Sequence, residues 1–464
     1  MENNNTVKRS EFYLGTFGAL VPFLGFLALV IYLVVAGMLG SKTAGGAAFV
    51  GFLVAFFMIK DKHRFAELTI KGFTSTMSGT MLVAFLLAGV IAKIMAMAGM
   101  VDALVWAASK IGADGRMMPI LIFLVSCIIS SATGTSGGTM ATTTPILFPM
   151  AVALGCNPGL AMGAILSGAM FGDNIAPVSD TTIASALTQE TTVVDVVKSR
   201  MKYSLIAAAV ALILYAIFGF TTVDAGAAMS VDTSNANPLA LILLSVPVLV
   251  IILMMRQKGL IFSMIWGVVL GIVLSLVLGL IPASRFLPGD GVFVSGFDGM
   301  MGIFCFFYFT FVLNEILIEG QVIDKLLNAL EKHAKTPRSA EAISGLITCI
   351  GIALISSPTV NIVTVGPVVR KIMKNHNIAR ARGANMLDGL SCALGGTLPY
   401  TSTCIYPLAM AIATGAVAET FSVMDYVPYS FHCMALFVVY WLAILTGYGR
   451  KFEKAEDVES VDLV

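Results

Sequence analysis

The chain has 464 residues, 58% of them hydrophobic and 12% charged, with a mean hydropathy of +0.91. Such a composition excludes a string of soluble domains and predicts one all-α polytopic membrane unit. The net charge of +1 offers no basic surface for nucleic acid, and no nucleic-acid partner is expected. Cys127, Cys156, Cys305, Cys349, Cys392, Cys404 and Cys433 include no C-x-x-C pair and no His spacing, so they read as small packed hydrophobes.

Residues 1–10 are polar, and the first apolar run is too long for a cleaved leader, so it reads as a retained span. Apolar stretches at 12–40, 43–59, 73–98, 203–220, 238–255, 260–281, 299–318 and 429–447 are long enough to cross a bilayer. Two more spans, 159–188 and 383–418, are interrupted, which makes about ten in all. Segments 117–155 and 338–375 are apolar at both ends, with the polar middles S-S-A-T-G-T-S-G-G-T and I-S-S-P-T-V-N. Each reads as a re-entrant hairpin whose tip lies part-way across the bilayer, buried against protein. Segments 103–116 and 320–336 alternate apolar and charged residues at helical spacing, as interfacial amphipathic helices or as polar connectors.

The span at 159–188 carries the most chemistry. Its stretch Gly168–Thr182, G-A-M-F-G-D-N-I-A-P-V-S-D-T-T, places two carboxylates, an amide, three hydroxyls and a proline at membrane depth. Pro177 removes a backbone donor and evicts the carbonyl one turn earlier, so the helix is expected to break between Ile175 and Ser179. Broken helices bind ions at mid-membrane in secondary transporters, and a buried carboxylate marks an ion or proton pathway. Asp173 and Asp180 are therefore the leading sodium and proton ligands, with oxygens from Asn174, Ser179, Thr181 and Thr182 and from carbonyls freed by Pro177. An open alternative has Ser179 and Asp180 merely capping the half-helix that starts near Thr181. The first hairpin tip adds Thr135, Ser136, Gly137 and Thr139, and the second adds Ser357, Pro358, Thr359 and Asn361.

Charge orients this division. With the N-terminus inside, Lys8, Arg9, Lys60–Lys71, Lys198, Arg200, Lys202, Arg256, Lys258 and the basic residues from Lys325 to Arg382 fall on the cytoplasmic side. So does the tail 450–464, while the outer linker 221–237 carries Asp224 and Asp232 and no basic residue. An offset of 222 residues superposes Pro145 on Pro367, Pro177 on Pro399, Ser179 on Thr401 and Thr181 on Thr403, and brings hairpin onto hairpin and break onto break. Each half holds an odd number of crossings, so 1–220 and 238–449 form an inverted repeat, with its binding site near the midplane. In the second half the hydroxyls of Thr401, Ser402 and Thr403 answer the first, and Asp388 is the candidate carrier. Glu315 with Asn314 is a secondary candidate, whereas Lys93 reads as snorkelling and His432 as interfacial. With no G-x-x-x-x-G-K-[ST] loop and no nucleophile and base pair, neither an ATP-driven pump, an enzyme nor an organic cofactor is expected.

S-A-T-G-T-S-G-G-T followed by S-G-A-M-F-G-D-N-I-A-P-V-S-D-T-T resembles the NhaC family of sodium/proton antiporters within the ion transporter superfamily. The stretch from Asn361 to Thr403, with N-M-L-D-G and P-Y-T-S-T, is similar to that family's second repeat. The resemblance implies sodium-coupled antiport in the cell membrane, Asp173 and Asp180 as motif acids, and an elevator-like homodimer. Family members often carry tryptophan where this chain has Gly137, and Gly395 and Gly396 stand where bulkier residues are expected. Since relatives move malate, lactate or amino acids, a sodium-coupled carrier of a small organic anion or amino acid is the alternative.

Overall fold

The computed structural model describes residues 11–453 except 75, 112–114, 178, 223–236 and 257. Lys8, Arg9, Asp224, Asp232 and the tail from Lys454 onward lie outside the described residues. Nineteen α-helices occupy the described chain, and the only β-type pairing there is two isolated bridges, Phe12 with Ile59 and Ile378 with Phe452. They are α1 (Thr16–Val35), α2 (Ser41–Met58), α3 (Lys62–Phe73), α4 (Thr76–Met97), α5 (Met100–Ile111), α6 (Met118–Thr133), α7 (Ser136–Ala153), α8 (Pro158–Ile175), α9 (Asp180–Thr188) and α10 (Val193–Thr222). The remainder are α11 (Ser245–Met255), α12 (Leu260–Val277), α13 (Val292–Glu319), α14 (Val322–Glu331), α15 (Pro337–Ile355), α16 (Pro358–Asn375), α17 (Arg380–Gly395), α18 (Ser402–Ala413) and α19 (Phe431–Thr446). Of these, α1, α2, α4, α6, α10, α12, α13 and α15 are long and apolar enough to cross a membrane. The protein is a multi-pass helical membrane protein.

Both interrupted spans are broken where proline interrupts the ladder. Helix α8 ends at Ile175, and Ala176 and Ser179 are extended before α9 starts at Asp180. In the second half α17 ends at Gly395 and α18 starts at Ser402, with Pro399 between them. Each predicted hairpin is a pair of helices, α6 with α7 and α15 with α16, turning at Gly134 (φ 69°) and Ser356 (φ 61°). The left-handed turns recur with the helices: Gly37, Gly99, Gly134 and Gly155 have left-handed counterparts 222 residues on in Gly259, Gln321, Ser356 and Asn377. Helices α5, α7, α8 and α9 likewise start 222 residues before α14, α16, α17 and α18.

One element was not anticipated from the sequence. The basic stretch after α2, to which no element was assigned from sequence, forms helix α3, because Phe65, Leu68 and Gly72 make a buried stripe along it. Arg64 clamps it to α13 through both oxygens of Glu319, at 3.0 and 3.1 Å. The expected amphipathic segments are helices α5 and α14, the latter burying Val322, Ile323 and Leu327.

Close packing of α8 on α6 sets the depth of the first break. A side-chain carbon at Gly168 would lie 2.6 Å from the Phe123 carbonyl, and one at Gly172 would lie 2.3 Å from the Ser131 nitrogen. Small residues four apart thus let two helices approach backbone to backbone. The Ser130 hydroxyl then donates to the Ala169 carbonyl at 2.5 Å.

Candidate functional site

The two carboxylates of the first break face each other across the unwound residues. Asp173, in the last turn of α8, is buried, and Asp180, the first residue of α9, is open. Ser179 precedes α9 without capping it. Its hydroxyl donates to Asp173 Oδ1 at 2.6 Å and lies 2.9 Å from Thr181 Oγ1. Asp180 does take the backbone N–H of Thr181, the capping role allowed for it, but it also accepts the Thr359 hydroxyl at 2.8 Å.

Both hairpin tips therefore touch one break. Ser136, at the tip of the first hairpin, hydrogen-bonds Asp173, and Thr359, at the tip of the second, hydrogen-bonds Asp180. Between them lies a cavity of about 70 Å³. Thr135, Ser136, Gly137 and Met140 line it from the first hairpin and Ser357, Pro358 and Thr359 from the second. Asp173, Asp180 and Thr181 complete it from the first break, and Ser402, Thr403 and Tyr406 from α18. Four helices, α7, α9, α16 and α18, present their N-terminal turns to this space, so the positive ends of four helix dipoles point toward the two carboxylates. The lining includes no Lys, Arg or His, and its polar side chains are all oxygen donors.

Phe307 and Tyr406, which the sequence reading passed over, form the remaining wall, and Phe85 stacks behind both with ring centroids 4.9 and 4.7 Å away. Phe85 and Phe307 are related by the 222-residue offset, the signal that singles them out among 29 phenylalanines.

The second half repeats the scaffold of the site without its acid. The counterpart of Asp173 is Gly395, and Thr401, the counterpart of Ser179, donates to the Gly395 carbonyl at 2.6 Å. Ser402 donates its hydroxyl and its backbone N–H to the Ser356 carbonyl at 3.0 and 3.1 Å, tying the second tip to the second break.

Asp388 stands outside the cavity. It is fully buried and paired with fully buried Arg200 at 2.5 Å, with Ser185, Asn174 and Cys392 also in reach of its oxygens. Arg200, counted among the cytoplasmic basic residues, is buried on the packed face of α10. Its guanidinium donates to the Asn174 carbonyl and, at 2.9 Å, to the Thr182 hydroxyl, so one cation holds both halves of the broken span. The buried stripe Val196, Arg200, Tyr203, Ser204, Ala207, Ala211 was the readable signal, because it places Arg200 in register with small inward residues. Asn174 completes the group by accepting the Ser204 hydroxyl at 2.6 Å.

The other expected residues serve packing around the cavity. Thr139 donates to the Thr135 carbonyl at 2.8 Å. Asn361 bonds the Thr348 carbonyl at 3.1 Å and Ser391 at 2.9 Å. A side-chain carbon on Gly395 would fall 2.8 Å from Pro358, and one on Gly396 would fall 2.3 Å from Cys433 Sγ, so these glycines admit neighbours rather than line space. Gly137 differs: its nearest neighbour would be Tyr406 Cε1 at 3.9 Å. Glu315 pairs with Lys71 at 2.6 Å, while Asn314 donates to the Ile355 carbonyl at 3.0 Å beside the second tip. Lys93 borders a separate cavity at 37–43 and 409–422. His432 is not interfacial; it is buried between Phe123 and Phe171, its ring centroid 6.3 and 5.3 Å from theirs.

Paired breaks and hairpin tips around one buried and one open carboxylate define the architecture of a secondary transporter. The chain belongs to the Na+/H+ antiporter family, whose model matches residues 12–220 and 230–448. It is 26% identical to the Na(+)/H(+) antiporter NhaC of Alkalihalophilus pseudofirmus over 78% of this chain and 80% of that one. It is 25% identical to the NhaC antiporter of Bacillus subtilis over 72% of this chain and 76% of that one. A malate-2H(+)/Na(+)-lactate antiporter of Bacillus subtilis is 23% identical over 72% of this chain and 74% of the relative.

Proposed function

We propose that this protein exchanges sodium for protons across the cell membrane, with Asp173 and Asp180 as the shared ligands of both ions. The observation that carries the reading is a cavity of about 70 Å³ holding two carboxylates and seven Ser or Thr residues, with no basic side chain in its lining. A hard cation takes oxygen ligands, and this set offers only oxygens. Membership of the Na+/H+ antiporter family supports the same conclusion.

The exchange follows from competition. A sodium ion bound between Asp173 and Asp180 replaces the Thr359 and Ser179 hydrogens as the positive partner of the carboxylates. A proton on either acid removes the charge that holds sodium. Each face of the membrane then loads whichever ion prevails there. Asp388 takes no direct part, because Arg200 already neutralises it. The two halves act as an inverted repeat that moves the site in an elevator-like way within a homodimer, with both termini cytoplasmic.

A second reading, sodium-coupled exchange of a small organic acid, has one specific observation in its favour. The four N-terminal helix turns around the cavity suit a substrate carboxylate, and Gly137 leaves an open wall beside them. Its volume as found accommodates an ion and not malate.

Purified protein in proteoliposomes decides between them. A sodium gradient should drive proton movement with no organic solute present. Proton flux that requires malate, lactate or an amino acid establishes the second reading, and the absence of any sodium-dependent flux removes both.

A further inference from the structure

A second cavity, of about 360 Å³, lies where α10 and α17 begin and the chain beyond α19 folds back on them. The Ala379 N–H donates to the Lys451 carbonyl, and the Ile378–Phe452 bridge fixes this returning segment as one wall. The volume falls within the roughly 300–1,000 Å³ usual for small-molecule sites.

Its charge is one-sided. Lys198, Lys202, Arg382 and Lys451 line it, against the single carboxylate of Asp195, which accepts the Thr192 hydroxyl at 2.7 Å. Among the described residues Lys198, Lys202 and Lys451 form no ion pair. Lys202 is held over the rings of Tyr203 and Tyr448, 4.9 and 4.4 Å from their centroids. Arg382 is buried, with Nε on Glu341 at 2.8 Å and Nη1 on the Tyr203 hydroxyl at 2.7 Å, which leaves Nη2 without a partner. Glu341 cannot balance the group, since it also serves Arg450 at 2.8 Å. Gly449, at φ 73°, keeps the returning segment to bare backbone beside α10, because a side-chain carbon there would lie 2.3 Å from Lys202 Nζ.

Three unpaired ammonium groups and a spare guanidinium donor around one cavity are the recognition chemistry of phosphate oxygens. We infer that this cavity binds a phosphate-bearing anion, supplied either by a phospholipid headgroup or by free phosphate. Leu445, Tyr448 and Phe452, each about half exposed at 50%, 53% and 54%, flank the same end of the bundle, as residues at a headgroup boundary do. The site is separate from the broken helices, and the inference stands whichever ions are exchanged there.

The test uses the full chain in two arms. In detergent, the thermal unfolding midpoint is followed against inorganic phosphate, with chloride at matched ionic strength as control. In nanodiscs, the midpoint in phosphatidylglycerol is compared with that in phosphatidylcholine. We expect an upward shift in at least one arm and an apparent affinity lower by about tenfold in Lys198→Gln/Lys451→Gln. Both lysines are exposed, so the fold should survive, and Lys198→Arg/Lys451→Arg should restore the shift. A shift with phosphate assigns the free anion; one with phosphatidylglycerol alone assigns the headgroup. No shift in either arm, a shift equalled by chloride, or one unchanged in the Gln variant overturns the inference.

Discussion

At the scale of the residue, the site separates two kinds of buried carboxylate. Asp173 has only hydroxyl partners, so it is free to exchange them for a cation. Asp388 has a guanidinium at 2.5 Å and is committed to it. Asp173→Asn keeps the shape and removes the charge, and it should abolish the sodium dependence of proton flux while the protein still inserts. Wild-type sodium response in the purified variant would refute the assignment. Arg200→Gln should behave differently, because it leaves Asp388 as an unpaired buried charge, at a cost of about 3–5 kcal/mol. It is expected to lower the unfolding midpoint and the yield of folded protein, whereas Arg200→Gln/Asp388→Asn should recover much of the loss. Thermal unfolding of the three variants checks this; equal stability of Arg200→Gln and wild type would mean that the pair does not hold the break together. The acids were legible because carboxylates beside Pro177 are conspicuous in an apolar span. Arg200 was passed over despite its place in the inward stripe of α10, because counting positive charge near span ends treats every arginine there as solvated, and its partner is remote in sequence.

At the scale of the element, proline announced both breaks and glycine hid part of the 222-residue correspondence. Pro177 and Pro399 mark where helical hydrogen bonding must fail, so the ends of α8 and α17 could be placed to within a few residues. The recurring left-handed turns could not, because Gly99 and Gly134 are answered by Gln321 and Ser356, side chains that seldom adopt a positive φ. Helix α3 was missed for a related reason: its basic residues outweigh the Phe65 and Leu68 stripe in any local average. Packing of α8 on α6 yields a direct test. Gly172→Leu places a branched side chain where the Ser131 backbone already stands, so the break should be displaced and folded protein lost. Gly137→Ala meets only Tyr406 at 3.9 Å and should fold and transport normally. A Gly172→Leu variant that purifies with wild-type unfolding behaviour would show that α6 and α8 separate easily. Cysteine replacing Gly134 probes the hairpin itself: a tip inside the membrane should react with impermeant thiol reagents at a rate that sodium changes, and rapid labelling regardless of sodium would favour full crossings.

At the scale of the whole molecule, family membership and the multi-pass helical fold were both readable in the motif and the hydropathy. The assembly of the cavity was only partly so. Both hairpin tips and both breaks were expected near one midplane, yet nothing in the sequence said that the second tip would reach across to a carboxylate of the first break. Thr359 belongs to the C-terminal part of the chain, and the carboxylate it grips belongs to the N-terminal part. Such a contact makes the two parts mutually dependent in a genetic sense. A fragment ending before residue 223 carries both acids but lacks one of the two fingers that close over them, while a fragment starting at 238 carries the finger and nothing for it to hold. Produced separately, neither should catalyse sodium-driven proton movement. Produced together in one membrane, they should reassemble and restore it, with Thr359→Val in the second fragment weakening the rescue. Exchange by the first fragment alone would mean that the N-terminal part works by itself.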